Sequence, residues 1–304
     1  MARHIRALAG ALLAAALLAG CATSPARSTG SGGPILVVAS VNVWGSILAQ
    51  LGGSRVHETS IITSPATDPH DYEPSPVDAR TIIASRLFVE NGIGYDPWAA
   101  QAVRANPDRA RTVIDVGQVT GVRPGGNPHR WYSPSDVAKV ADAITAALGR
   151  LDPAGAGYYA DRRRAFETTG LADYHRLIAD IKARYAGIPV GASESIFAPL
   201  ADALGLDLIT PPGFLKAISE GTDPSTADKV TIDTQIRERK VKIYVFNSQN
   251  STPDVAGQVA AARASGIPVV AVTETLTPAT ATFQEWQTSQ LQALQAALRA
   301  ATSR

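Results

Sequence analysis

The sequence has little of what marks several large classes of protein. Its 304 residues include one cysteine, so no disulfide can form within the chain. Charged residues make up 18% and the formal net charge is +1, which indicates no strong attraction to nucleic acid. The sequence also lacks a P-loop, a dinucleotide-binding fingerprint, His-Glu-x-x-His and Gly-x-Ser-x-Gly. Nucleic-acid binding and the commonest hydrolase sites are therefore not predicted.

The most apolar run lies at the N-terminus and predicts a secretory signal. Basic residues precede an Ala/Leu/Gly run that ends in Leu-Ala-Gly-Cys at residues 18–21. The run is shorter than the roughly 20 apolar residues that span a bilayer, which argues against a permanent transmembrane helix. The ending resembles a bacterial lipobox, so we expect Cys21 to become the lipidated first residue, anchored by its acyl chains. The alternative is an incidental cysteine in a discarded peptide.

The rest of the chain divides by composition. The segment after Cys21 is rich in Ser, Gly, Thr and Pro, and such a segment buries too little apolar surface to fold. The remaining length is enough for two lobes of ordinary domain size. The predicted division is a lipoprotein signal peptide at residues 1–20, a lipidated flexible tether at 21–33, an N-terminal α/β lobe at 34–151, a long linking helix at 152–187 and a C-terminal α/β lobe at 188–304.

Both halves of the folded part predict the same architecture. Short Val/Ile-rich runs alternate with helical patterns, which favours a parallel sheet flanked by helices. The predicted strands are 35–39, 56–62, 87–89, 112–114, 188–192, 206–209, 241–246 and 267–272. Helices in the second half are predicted near 196–204, 227–238, 254–264 and 280–300. The predicted fold class is α/β, with two similar lobes, each a mostly parallel β-sheet flanked by helices, joined by one long backbone helix.

The stretch between the halves predicts an unusually long helix. No proline occurs between residues 154 and 186, and large apolar residues recur there at helical spacing. A continuous helix of that length would measure roughly 50 Å at 1.5 Å per residue. Gly170 weakens this prediction, because glycine inside a helix costs about 1 kcal/mol relative to alanine. The alternative is two shorter helices broken at Gly170, which would leave the two-lobe architecture intact.

Two histidines of the first lobe are candidate metal ligands. His70 lies in Asp-Pro-His after a predicted strand, and His129 lies in Asn-Pro-His before a helical segment. Ligands of open α/β sheets bind at the carboxyl edge of the strands. A single loop histidine is more often a surface residue, but two Pro-His corners in one lobe favour a shared role. The other histidines lack this context and are expected to be structural or solvated: His4, His57 and His175.

Two carboxylates occupy similar places in the second lobe. Glu194 follows the predicted strand 188–192, and Glu274 follows the strand 267–272. Either could instead be a favourable charge near a helix N-terminus. Two buried carboxylates that face each other would repel and raise one pKa, and a divalent cation removes that conflict. With His70 and His129 they form the predicted ligand set of one metal ion held between two lobes.

Three segments and the linker resemble the cluster A, or TroA-like, metal-binding receptors of bacterial ABC importers. The segments are His-Asp-Tyr-Glu-Pro-Ser-Pro at 70–76, Asn-Pro-His-Arg-Trp at 127–131 and Ser-Glu-Ser-Ile-Phe at 193–197. The resemblance covers essentially the whole mature chain and implies two four-stranded lobes joined by one long helix. It also implies that His70, His129, Glu194 and the acidic residue after the last strand bind one Mn²⁺ or Zn²⁺ ion.

The chain departs from the family pattern in two places. The last ligand of the family is usually aspartate in an Asp-Ser-Leu-like context, whereas this chain has Thr-Glu-Thr-Leu at 273–276, and glutamate changes the reach. The stretch 122–126 lacks the His/Asp-rich loop that many zinc receptors of the family carry. Glu194 as third ligand resembles the manganese-type receptors, whereas intrinsic affinity at a site of nitrogen and oxygen ligands favours zinc. We expect manganese to be transported and zinc to bind as well.

The resemblance implies a solute-binding lipoprotein, not an enzyme. It would deliver its ion to an ABC transporter permease and its ATPase while a lipid anchor holds it at the extracytoplasmic face, cell surface or periplasm. Two alternatives stay open: a surface adhesin on the same scaffold, and a secreted zinc-dependent hydrolase, which needs an open coordination position and a nearby base. Three aromatic residues are expected to wall the pocket or to be ordinary core: Trp44, Tyr95 and Trp131.

Overall fold

The structure is a computed structural model that describes residues 33–67, 69–250 and 252–302. The predicted signal peptide and Cys21, with nearly all of the predicted tether, lie outside the described residues. Within those ranges, no helix is both long enough and apolar enough to cross a membrane.

The N-terminal sheet consists of four parallel strands in the spatial order β2-β1-β3-β4. The strands are β1 Ile35–Val41, β2 Val56–Ile62, β3 Leu87–Glu90 and β4 Thr112–Asp115. Central β1 is buried from Val37 onward, as expected for a parallel strand covered on both faces, whereas β2 forms an edge and is partly exposed. The helices are α1 Asn42–Gly52, α2 Pro76–Ala84, α3 Pro97–Ala105, α4 Val116–Thr120 and α5 Pro134–Leu151.

The linking segment is helical but changes helix type midway. After a 3₁₀ turn at Pro153–Gly155 it comprises α6 Ala156–Ala165, a π-helical turn at Phe166–Gly170, and α7 Ala172–Tyr185. The backbone N–H of Leu171 donates to the carbonyl of Phe166 at 2.8 Å, which closes the wider turn. The segment is therefore a strut of two α-helices, and the change in helix type falls where Gly170 weakens the helical pattern.

The C-terminal sheet repeats the topology of the first. Its four parallel strands lie in the order β6-β5-β7-β8 and span β5 Pro189–Ala192, β6 Asp207–Leu208, β7 Tyr244–Asn247 and β8 Val269–Val272. The helices are α8 Ala198–Leu204, α9 Pro212–Ser219, α10 Thr226–Arg237, α11 Pro253–Ala264 and α12 Phe283–Thr302. Two parallel sheets flanked by helices confirm the predicted α/β fold class.

The C-terminal helix ties the lobes and the strut together. α12 packs along α7 and also contacts α1 of the first lobe. Phe283, at its first turn, is fully buried, and its ring meets those of Phe166, Tyr174 and Trp286 at centroid distances of 6.1 to 6.5 Å. Packed aromatic rings therefore join α12 to the strut, and the contact of α12 with α1 adds a second connection between the lobes.

The sequence pattern placed the strands better than it placed the short helices. Each of the eight predicted strands overlaps an observed one, although the strand predicted at 206–209 shrinks to Asp207–Leu208. Helix α9 was not predicted, because Thr-Pro-Pro-Gly at 210–213 is typical of a loop. Proline is nevertheless compatible with the first helical turn, where its missing N–H has no intrahelical partner, and α9 begins at Pro212 in this way.

We expect Phe283→Ala to destabilise the metal-free protein by about 3–5 kcal/mol, because a fully buried ring is lost at the junction of α12 and the strut. Urea unfolding followed by circular dichroism measures the change. Val230→Ala is the control, since Val230 is 59% exposed on α10 and a surface change of this kind costs within about 0.5 kcal/mol. Equal unfolding midpoints for the two variants would contradict this account of how the lobes are joined.

Candidate metal centre

Three of the four predicted ligands follow the carboxyl end of a strand, and the fourth, His129, lies in the loop after α4. His70 lies in a 3₁₀ turn, Pro69–Asp71, after β2, and His129 directly precedes the turn Arg130–Tyr132. Glu194 follows β5 and precedes the turn Ser195–Phe197, and Glu274 follows β8. Because all strands of each sheet are parallel, these ends lie on one edge of each lobe.

Three of these side chains converge from the two lobes. The Nε2 atoms of His70 and His129 are 3.4 Å apart, and Glu274 Oε2 lies 3.4 Å from the first and 3.8 Å from the second. One ligand atom from each residue fits within 4.8 Å of the other two. Across the described ranges, this is the single group of three or more His, Cys, Asp or Glu side chains spaced to hold a metal ion.

Glu194 lies beside this group but outside it. Its side chain is fully buried, as is that of Glu274. The carboxamide of Asn247 joins the two residues, because its Nδ2 donates to Glu194 Oε1 at 2.7 Å and to Glu274 Oε1 at 2.8 Å. The structure therefore brings His70, His129 and Glu274 together directly and holds Glu194 next to them through an amide.

Burial sets the charge state of the site. Burial raises the pKa of Glu194 to about 8, and the charge of Glu274 adds to the effect, while hydrogen bonds from Asn247 and Asn250 act against it. Burial lowers the pKa of His129 well below its usual range, and the nearby His70 and Arg130 lower it further. His129 is thus neutral at physiological pH, which is the form that binds metal.

The orientation of His129 is fixed by Asn127. The Nδ1 atom of His129 lies 2.9 Å from Asn127 Oδ1, an acceptor that also receives the His129 backbone N–H at 3.0 Å. This contact assigns the ring proton to Nδ1 and leaves Nε2 as the lone-pair atom that faces His70 and Glu274. The other end of the Asn127 amide donates to the Ser195 carbonyl at 2.6 Å, so one side chain connects both lobes at the site.

Aromatic rings form one wall of the site. The Tyr95 hydroxyl donates to Glu274 Oε2 at 2.9 Å, and its ring centroid is 4.8 Å from that of His70. The ring of Trp131 stands at 90° to that of His129, with centroids 5.5 Å apart. Trp44 packs behind Trp131 and donates to Asn91 Oδ1 at 2.9 Å, away from the ligands. The expected aromatic wall thus consists of Tyr95 and Trp131, with Trp44 as core behind it.

The sequence reasoning missed a set of amides after β7. In the turn Asn247-Ser248-Gln249-Asn250, Asn250 Nδ2 donates to Glu194 Oε2 at 2.9 Å, and Gln249 Oε1 accepts the Glu274 backbone N–H at 2.7 Å. Gln249 Nε2 donates to the Thr67 carbonyl at 2.9 Å, next to the loop that carries His70. The rule that polar residues after a strand mark the site would have found this turn, since it follows β7 directly.

The other described histidines lie away from the site. His57 is exposed on the edge strand β2. His175 is on α7 and its Nε2 lies 3.0 Å from Oε1 of Glu167, eight residues earlier in the strut. His4 lies outside the described residues.

A cleft between the lobes leads to the site. It has a volume of about 640 Å³, and His70 lines it together with Gly94 and Asn127 of the first lobe and Ser195 and Asn250 of the second. The His70 side chain is 21% exposed, whereas those of His129 and Glu274 are fully buried. An ion that arrives through this cleft therefore reaches His70 first.

The donor set fits a divalent transition metal. Imidazole nitrogen and carboxylate oxygen are ligands of zinc, manganese and iron in proteins. Two fully buried carboxylates so close together also carry an electrostatic conflict that a cation would relieve. The residues present thus match an M²⁺ ion in both chemistry and charge.

Comparison with known proteins identifies relatives. The family described as zinc-uptake complex component A, periplasmic, matches residues 37–297. The chain is 24% identical over 268 residues to the manganese-binding lipoprotein MntA of Halalkalibacterium halodurans, covering 82% of this chain and 86% of that one. It is 28% identical over 224 residues to the iron-binding protein YfeA of Yersinia pestis, covering 70% and 69%.

A solved structure shows the same fold. The manganese-bound periplasmic metal binding protein from Candidatus Liberibacter asiaticus superposes with a TM-score of 0.69 at 20% identity, covering 87% of this chain and 99% of that one.

We expect His70→Ala and Glu274→Ala each to weaken Zn²⁺ binding severely, because each removes one of three convergent donors from a different lobe. The rise in melting temperature on addition of Zn²⁺ measures the loss, since a ligand that binds only the folded state stabilises it. His57→Ala removes an exposed histidine instead and should leave this rise unchanged. If a variant keeps the full rise in melting temperature, the residue it replaces is not a ligand.

Metal binding at neutral pH should release a proton from Glu194. With a pKa of about 8, this carboxyl group is protonated at pH 7 in the metal-free protein, whereas a ligand carboxylate is ionised. The raised pKa also means that the folded metal-free protein binds more protons than the unfolded chain between pH 4.5 and 8. Its free energy of unfolding should therefore fall as the pH rises through that window.

Calorimetric titration with Zn²⁺ at pH 7, in two buffers of different ionisation enthalpy, counts the released protons. Glu194→Gln cannot release this proton and is the matched variant, since it keeps the shape of the side chain. If wild type and Glu194→Gln release equal numbers of protons, the assignment to Glu194 is wrong.

Proposed function

From the premise that this chain belongs to the family of zinc-uptake complex component A, we propose that it is an extracytoplasmic solute-binding lipoprotein. It captures one Mn²⁺ or Zn²⁺ ion between its two lobes and delivers it to the permease of an ABC transporter. The observation that carries this proposal is the convergence of His70 and His129 from the first lobe with Glu274 from the second. An ion held there is bound by both lobes at once.

We assign the ion four protein ligands: His70, His129, Glu274 and Glu194. The first three already lie within ligand distance of a common point. Glu194 joins them because it is buried against the same amide and because its negative charge is needed to balance a dication held by neutral imidazoles. The two carboxylates would give the site a formal charge of −2, which matches M²⁺.

The binding step follows from the exposure of the ligands. His70, the most exposed of the three donors, meets the incoming ion in the cleft. His129 and Glu274 then replace water molecules bound to the ion. Asn127, Tyr95 and Gln249 already bridge the lobes by hydrogen bonds, and the strut and α12 connect them rigidly. Capture therefore involves small shifts of side chains and loops instead of a wide hinge closure.

The partners and location follow from the family and the N-terminus. MntA is named as a manganese-binding lipoprotein, and the lipobox-like Leu-Ala-Gly-Cys at 18–21 supports a lipid anchor at the start of the predicted mature chain. We propose that Cys21 carries the lipid anchor, and that the protein faces outward from the membrane beside its permease and ATPase.

The family is one of solute-binding proteins, not of enzymes, and we propose that this chain has no catalytic activity. A metal hydrolase needs a free base beside an open ligand position. Here Glu194 accepts amide hydrogen bonds at both oxygens, from Asn247 and Asn250. Nothing in the site favours the hydrolase or the adhesin.

The test is uptake of Mn²⁺ and Zn²⁺ by the cells that make this protein. Deletion of the protein should reduce uptake of at least one ion at low external concentration, and the wild-type chain should restore it. His129→Ala should fail to restore uptake, because the buried ligand is lost, whereas His175→Ala should restore it fully. Cell fractionation of a Cys21→Ser variant tests the anchor in the same strain.

Restoration of uptake by His129→Ala would contradict the proposed ligand set. Unchanged uptake of both ions after deletion would contradict the transport function itself.

A further inference from the structure

The amide of Asn247 occupies an unusual position between the two ligand carboxylates. Its side chain is fully buried, and both hydrogens of its Nδ2 are used, one by Glu194 Oε1 and one by Glu274 Oε1. Its Oδ1 accepts the backbone N–H of Gln249 at 3.0 Å. Acceptors on one side and a donor on the other fix which end of the amide is nitrogen. The amide is therefore locked in a single orientation.

This orientation of the amide determines which partner each of the four carboxylate oxygens has. Glu274 Oε1 accepts from Asn247, and Glu274 Oε2 is the oxygen that lies near both histidines. Both oxygens of Glu194 accept from amides, Oε1 from Asn247 and Oε2 from Asn250. An oxygen that accepts a hydrogen bond can still bind an ion, as Glu274 Oε2 would while it accepts from the Tyr95 hydroxyl. Asn247 nevertheless holds Oε1 of each carboxylate at its amide, so a carboxylate that turned both oxygens toward the ion would have to rotate and strain that hydrogen bond.

From this arrangement, which rests on the proposed function, we propose that Asn247 is a positioning residue that restricts each carboxylate to one ligand oxygen and thereby favours zinc over manganese. Two imidazoles and two single carboxylate oxygens make four ligands, the number that zinc adopts in tetrahedral sites. Manganese prefers more oxygen ligands and a higher coordination number, which bidentate carboxylates would supply. Asn247 thus selects among ions without binding the ion.

The experiment compares affinities for Zn²⁺ and Mn²⁺ in wild type and in Asn247→Ala, by calorimetric titration of the metal-free protein with each chloride salt. Loss of a residue that orients ligands typically costs 10–100-fold in metal affinity, and we expect a loss of about that size for zinc. Manganese should lose less, because the freed carboxylates can bind through both oxygens. The ratio of the two dissociation constants should therefore shift toward manganese by about tenfold.

The control is Asn42→Ala. Asn42 is also a buried asparagine that bridges the lobes, with its Oδ1 accepting the Leu276 N–H at 3.2 Å and its Nδ2 donating to the Thr63 carbonyl at 3.3 Å. Both of these hydrogen bonds go to backbone groups and not to a ligand carboxylate, so any loss of packing should weaken the binding of both ions by the same factor and leave the ratio unchanged.

X-ray absorption of the bound ion supplies a second readout. The number of oxygen neighbours around Mn²⁺ should be larger in Asn247→Ala than in wild type. Asn247→Leu removes both N–H donors, keeps a similar side-chain volume and adds no charge, so it should shift the ratio in the same direction. It replaces the alanine variant if that variant does not fold.

An unchanged ratio in both Asn247 variants, with unchanged coordination of the bound ion, overturns the inference. Wild-type protein that binds neither ion overturns the proposed function and this inference together, so the two failures are distinguishable.

Discussion

Two carboxylates buried side by side are the constraint on which the metal centre depends. Glu194 and Glu274 have no exposure to water, so neither charge is solvated, and each raises the cost of ionising the other. Neutral groups donate hydrogen bonds to the pair: Asn247 donates to both carboxylates, Asn250 to Glu194 and the Tyr95 hydroxyl to Glu274. These donors hold the pair in place without cancelling its charge. In the function proposed above a cation completes the arrangement, and without it the raised pKa of Glu194 leaves that carboxyl group protonated at neutral pH.

Two lobes of equal topology together form the site. Because the strands are parallel, their carboxyl ends lie at one edge of the sheet in each lobe. Polar residues that are far apart in sequence therefore meet across the cleft. The first lobe contributes imidazoles and the second contributes carboxylates, and cross-lobe bonds from Asn127 and Gln249 align the two edges before an ion is present. The site is therefore largely formed in advance, and little conformational entropy is lost when the ion binds.

Much of the fold and of the site could be predicted from the sequence, because the strands and the residues that follow them form a simple pattern. Val/Ile-rich runs predicted the strands. The rule that ligands follow strand ends pointed to His70, Glu194 and Glu274, and the second Pro-His corner pointed to His129. Of these four, the structure brings His70, His129 and Glu274 within 4.8 Å of one another. The same rule also points to the turn after β7, but it does not say what the amides of that turn bind. Asn247 and Gln249 act through hydrogen bonds to one carboxylate oxygen or one backbone N–H, and such contacts depend on orientations that no sequence period encodes. Gly170 marked the weak point of the strut, but no sequence pattern indicated that a π-helical turn would form there.

The π-helical turn at Phe166–Gly170 sets the angular phase of the strut. The buried side chains of the strut include Tyr159 before the turn, Phe166 at its first residue, and Tyr174 and Leu177 after it, while Asp173 is exposed. Tyr159 and Phe166 are seven positions apart, whereas Phe166 and Tyr174 are eight apart, so the turn absorbs one extra residue. Each residue of an α-helix rotates the chain by about 100°. Deletion of that residue would rotate the chain after the turn by the same angle. The edge that carries His70 and His129 would then no longer face the edge that carries Glu194 and Glu274.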